Sequence, residues 1–180
     1  MKKFNSWHPL YYRMPFDSHE KIKSHLLTLI QKAPYNTMVP GESGDKYRIS
    51  FCDWENANDL KRPWVVFFLP YFYEVLKEFM NHNGFLYMDL QEMWFQRYNK
   101  NDEHGFHLHQ GHFSGVYYLE FDKSSPKTEF IHPLTRKVEK IKAKEGDIVV
   151  FPSFLNHRAP LMKSDKSKTI ISWNFQVRLV

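Results

Sequence analysis

The chain has 180 residues, of which 42% are apolar and 17% aromatic, enough to bury one full core and too apolar for a disordered chain. Its net charge is +5, but the lysines are scattered, so charge alone does not make nucleic acid an expected partner. Cys52 is the only cysteine, which excludes an internal disulfide and a Cys-based zinc cluster and fits a reducing cytoplasm.

The first residues, MKKFNSWHPL, carry two lysines but no apolar run or small-residue cleavage site, so no signal peptide is expected. Residues 17–33 read as a helix, with Asp17 as N-cap, Glu20 closing a capping box, and Ile22, Leu26, Leu29 and Ile30 forming one stripe. The longest apolar stretch, Trp64 to Leu69, falls far short of the roughly 20 residues that span a bilayer, so no membrane is expected either. A second helix is predicted from Pro70 to Asn83, with Gly84 as its C-cap and Phe72, Leu76, Phe79 and Met80 on one face.

Beyond Gly84 the texture changes to short β-rich runs at 85–98, 105–109, 113–122, 128–132, 136–143, 147–152 and 168–179, separated by turn residues. Seven short strands at this spacing predict an antiparallel sandwich or barrel. The expected architecture is one domain over 1–180, mainly β with flanking helices. A helical support region (1–84) holds two or more helices packed outside a β core (85–180). A glycine-rich phosphate loop and a Gly-x-Ser-x-Gly elbow are both missing from the sequence.

Chemistry concentrates in HGFHLHQGHFSGVYY, residues 104–118. His107 and His109 stand two apart, so on a strand both imidazoles project to one face and can reach one point. His157, at the end of GDIVVFPSFLNHRAP, is the best third ligand, and a three-histidine set leaves coordination positions open. Such a set suits Fe(II), Cu or Zn better than Mg or Ca. His104 and His112 are expected at the rim, because Gly111 interrupts the strand between His109 and Phe113.

HLHQGHFSGVYYLEF, then EGDIVVFPSFLNHRAP, then KTIISWNF together resemble the small 2-oxoglutarate/Fe(II)-dependent oxygenases common in marine bacteria and their phages, in a His-x-His variant. The likeness spans about residues 94–175. It implies a double-stranded β-helix (jelly-roll, cupin-like) core, Fe(II) at its mouth, and 2-oxoglutarate as cosubstrate. It also implies His107 as first ligand and His157 as distal ligand. Most of the wider superfamily carries Asp or Glu where this chain has His109, and Asp102 or Glu103 are the nearest carboxylates that would substitute.

A 2-oxoglutarate pocket needs a cation for the far carboxylate. On the last strand Lys168, Ile170, Ser172 and Asn174 share one face, while Thr169, Ile171, Trp173 and Phe175 share the other. Lys168 stands where the resemblance has arginine. With Tyr118, Tyr98, Ser172 and Asn174 it makes the expected cosubstrate set; Gln96 is a weaker candidate and Arg158 a candidate substrate contact. The function so implied is hydroxylation of a C–H bond in a small-molecule or peptide substrate, with release of succinate and CO2. A three-histidine cupin-like dioxygenase without 2-oxoglutarate and a non-enzymatic basic β-barrel binding module are the alternatives.

Overall fold

Alternation along the long strands of this chain puts large apolar side chains on both faces, and both faces are buried. The computed structural model describes residues 7–8, 10–39 and 47–178. The strands are β1 (Trp7–His8), β2 (Tyr11–Pro15), β3 (Asn36–Met38), β4 (Tyr47–Cys52), β5 (Tyr87–Tyr98) and β6 (Glu103–His107). They continue as β7 (Phe113–Glu120), β8 (Glu129–Ile131), β9 (Val138–Lys140), β10 (Asp147–Pro152), β11 (His157–Ala159) and β12 (Lys168–Arg178). Two helices, α1 (His19–Lys32) and α2 (Pro63–Asn83), and a one-turn 3-10 helix (Trp54–Asn56) complete the described chain.

The strands pair antiparallel in the order β1-β2-β10-β7-β12-β5-β4-β6-β11-β8-β9, with β3 added beside β4. β4 is the corner: it pairs with β5 through Phe51 and Cys52 and with β6 through Tyr47 and Arg48. The sheet thereby curls over itself into a jelly roll, as expected.

Parity then sorts the side chains. Met93, Phe95, Tyr117, Leu119, Ile148, Val150, Ile171 and Trp173 face the two helices, in one core with Ile22, Leu26, Phe68, Phe72 and Phe79. Their neighbours Trp94, Tyr98, Val116, Tyr118, Val149, Phe151 and Ile170 fill the inside of the curl in a second core. Period-2 alternation therefore separates a support face from a site face.

Several boundaries differ from those predicted. The N-terminal 84 residues are not purely helical: β2 joins the main sheet beside β10, and β4 turns its corner. Strands of two to six residues, stabilised only by distant partners, leave little periodicity to read. α1 starts one residue later than expected, with Ser18 and not Asp17 at the N-cap, and the Ser18 side chain makes no cap bond. α2 begins seven residues early, because Pro63 is the proline of its first turn and Pro70 lies inside. The carbonyl that Pro70 leaves unbonded is that of Val66, whose side chain is 54% exposed, so water can satisfy it. Gly84 caps α2 in the left-handed region, φ 68°, as predicted. The strand expected at 105–109 is 103–107, which leaves His109 outside it, and β11 occupies what read as a turn. Among the described residues no helix is long and apolar enough to cross a membrane.

Gly115 on β7 faces the indole of Trp173 on β12, its pairing partner. A Cβ there would lie 2.3 Å from the ring, and Trp173 is itself wedged against Phe72 of α2, so the ring has nowhere to go. Gly115→Ala is expected to cost about 2–3 kcal/mol by overpacking. That is a fall in Tm of roughly 4–12 °C for a chain of this size. A circular-dichroism melt that matches the wild type would contradict this packing.

Candidate metal centre and adjoining cavity

β6 and β11 lie side by side with His107 directly opposite His157, so two of the three predicted ligands face each other across a ladder rung. His109 reaches the same point from the loop after β6. One ring nitrogen from each of His107, His109 and His157 lies within 4.8 Å of the others, and this all-histidine group is the only such cluster among the described residues. The 107–109 pair is thus brought together by a route other than the strand argument, since only His107 is on the strand.

Two of the rings are fixed in one tautomer. His107 Nδ1 lies 2.8 Å from the Gly105 carbonyl and His157 Nδ1 2.9 Å from the Leu155 carbonyl, so each Nδ1 donates and each Nε2 lone pair is free for a cation. Burial lowers the pKa of His107, and of His157 well below the usual range. Burial, then the neighbouring His107, pushes His109 down to about 3. Three neutral nitrogen donors converging on one point fit a divalent transition metal.

Of the other two histidines, His104 stacks on His107, ring centroids 3.8 Å apart, and lines the cavity beside the triad, a closer place than the rim. His112 is structural: its Nδ1 accepts the Val177 N–H. Asp102 is no substitute ligand. It is fully buried and its carboxylate accepts the N–H groups of Ser50 and Asn99.

The triad opens onto a cavity of about 180 Å3 inside the curled sheet. Tyr98, Gln96 and Ser172 line it, with Ser172 donating to Gln96 at 3.4 Å. Lys168 and Tyr118 stand just behind that lining. Lys168 is 1% exposed, its Nζ donates to the Pro126 carbonyl at 3.2 Å, and it lies over the rings of Tyr98, Tyr118 and Phe121. Among the described residues no carboxylate pairs with it, and burial pushes its pKa down to about 7. The hydroxyl of Tyr118 bonds to that of Thr128, a cavity-lining residue that no sequence motif marks. The polar atoms of Asn174 are engaged elsewhere, with Glu92 and Ser114. Arg158 lines the cavity mouth but is held by Glu129 and covers the ring of Phe106. Trp54 and Trp94 also line the cavity and were not anticipated, since their positions depend on the 3-10 turn and on which face of β5 looks inward.

No protein-family model and no curated protein matches the chain. Solved structures do. An oxidoreductase of the 2OG-Fe(II) oxygenase family from Burkholderia pseudomallei is similar with a TM-score of 0.72 and 18% identity, covering 93% of this chain and 85% of its own. A prolyl-4-hydroxylase from Pseudomonas putida gives a TM-score of 0.62 at 13% identity, covering 94% and 92%. The 2OG complex of a viral collagen prolyl hydroxylase from Paramecium Bursaria Chlorella virus-1 gives 0.60 at 17% identity, covering 95% and 97%. The likeness is one of fold: this chain has the jelly-roll architecture on which those 2OG-Fe(II) oxygenases are built.

Proposed function

We propose that the chain is a single-domain Fe(II)- and 2-oxoglutarate-dependent dioxygenase of a reducing cytoplasm that hydroxylates a C–H bond in a small-molecule or peptide substrate. The observation that carries this is a cationic side chain buried without a counter-ion close behind the wall of a cavity that three neutral imidazoles flank. A buried lysine with no anion is costly, and a ligand carboxylate is the natural partner. The shared architecture with solved 2OG-Fe(II) oxygenases supports the same reading.

His107, His109 and His157 would hold Fe(II), with the carbonyls of Gly105 and Leu155 keeping two of the rings in the ligating tautomer. Fe(II) there would couple the oxidative decarboxylation of 2-oxoglutarate by O2 to hydroxylation of the substrate, releasing succinate and CO2. Lys168 holds the far carboxylate of 2-oxoglutarate, assisted by the hydroxyls of Tyr98, Tyr118 and Ser172. Trp94, Phe151 and Ile170 keep water from the space between. The donor set of three imidazoles, one positive charge more than a set with one carboxylate, favours a second reading: a cupin-like dioxygenase that needs no 2-oxoglutarate. Binding of 2-oxoglutarate separates the two.

Under air with Fe(II), the protein is expected to convert 2-oxoglutarate to succinate and CO2. His157→Ala is expected to lose metal binding while keeping its circular-dichroism spectrum. Absence of 2-oxoglutarate affinity after anaerobic metal loading would leave only the cupin-like reading.

Lys168 adds a pH signature. Its amine is half-protonated near pH 7 in the free protein, and the bound carboxylate requires it charged. The tyrosines against it stay protonated, since burial raises both their pKa values. From pH 7 upward, 2-oxoglutarate binding therefore takes up one proton, and its Kd rises by up to about tenfold per pH unit. Lys168→Met is expected to weaken binding by about 2–5 kcal/mol, at least roughly thirtyfold, and to remove the slope. Anaerobic calorimetry in buffers of different ionisation enthalpy measures both; a flat profile in the wild type refutes the assignment.

A further inference from the structure

We propose that Ser114 and Asn174 are positioning residues for the third metal ligand: a buried hydrogen-bond chain, Ser153–Ser114–Asn174–Glu92, holds the loop that carries His109. The inference rests on the metal-site reading above and adds to it how its irregular ligand is placed.

His107 and His157 are set by strand pairing and by carbonyl contacts to their rings. His109 has neither. It lies outside β6, and among the described residues no hydrogen bond to its ring is found, so its aim depends on packing against Trp94 and on the backbone of residues 108–112. That loop is tied at its far end to β12, where the His112 N–H donates to the Phe175 carbonyl at 3.1 Å and His112 Nδ1 accepts the Val177 N–H, and at His109 itself to Ser153. The His109 N–H donates to the Ser153 carbonyl at 3.1 Å, and the Ser153 N–H donates to the His112 carbonyl at 3.1 Å. Among the described residues, Ser153 is thus the anchor at the His109 end of the loop.

Ser153 is fully buried in the turn after β10, and its hydroxyl lies 2.9 Å from that of Ser114 on β7. Ser114 donates to Asn174 Oδ1 on β12 at 2.7 Å, and Asn174 Nδ2 donates to Glu92 Oε2 on β5 at 2.6 Å. A hydroxyl has one proton to give, so the donors run one way: Ser153 to Ser114, Ser114 to Asn174, Asn174 to the carboxylate. The chain crosses three neighbouring strands and ends on the residue that binds the ligand loop. Asn174, with its carbonyl and one amide proton used, belongs to this support and not to the cosubstrate wall. Removing any link leaves buried polar atoms unmet, and the turn that can move to satisfy them is the one holding His109.

Anaerobic titration with Co(II), followed by its visible spectrum, tests the inference on wild type, His109→Ala, Ser114→Ala, Ser153→Ala and Asn174→Ala. The two serine variants each remove one oxygen atom and keep the Ser153 carbonyl, so the test does not hang on one variant folding. The chain variants are expected to bind Co(II) about 10–100-fold more weakly, as loss of an outer support does. Their bands should shift toward that of His109→Ala, and 2-oxoglutarate affinity at saturating Co(II) should be unchanged. Wild-type Co(II) affinity and spectrum in all three would overturn the proposal. So would weakened 2-oxoglutarate binding with metal affinity intact, which would return Asn174 to the cosubstrate set. If the wild type takes up no Co(II), or His109→Ala binds it unchanged, the metal-site reading itself is what fails.

Discussion

Three imidazoles can share a space under 5 Å across, shielded from water, only while none of them carries a proton charge. Everything around the site follows from that constraint. Burial lowers the pKa of all three, and backbone carbonyls fix two of the tautomers, so the rings meet without repulsion between imidazolium charges and leave lone pairs for a cation. Such a centre has no anion of its own among the described residues. Positive charge brought by a metal must be balanced by ligands that arrive with it, and a keto acid is a ligand of that kind.

The two-core arrangement explains how a small chain supports such a site. Helix α1 through Ile22, Leu26 and Ile30, and α2 through Phe68, Phe72 and Phe79, pack on one face of the main sheet, which stiffens it from behind. The opposite face is then free to carry polar groups at fixed spacing. Trp173 presses toward the helices while its neighbours Ser172 and Asn174 point the other way, so one strand serves as scaffold and as working surface.

How much of this is legible in the sequence depends on the range of the interaction. Period-2 alternation in β12 marks both faces correctly, and the grouping of His107, His109 and His157 is readable from type and context. Strands β2 and β4 are not, because they are short and owe their conformation to partners far along the chain. The bend that ends β6 at His107 is hidden for the same reason: the loop after it is held by bonds to Ser153, Phe175 and Val177, all more than 40 residues away. Asn174 is legible as an inward polar residue, yet its partner Glu92 lies on another strand whose register no local pattern reveals.

β12 finally shows why the polar face of a single strand divides into unlike tasks. Lys168 and Asn174 are six residues apart, roughly 20 Å of extended chain, and both face the interior. Lys168 stands at the start of the strand, enclosed by Tyr98, Tyr118 and Phe121. Asn174 stands at the end where the ligand loop closes over the sheet, and Ser172 lies between them on the cavity wall. On the proposed function, a dicarboxylate would turn one end toward the histidines and the other toward the amine. On that function, one strand would thus present both the amine for the cosubstrate and, through Asn174, part of the support beneath the loop that carries His109.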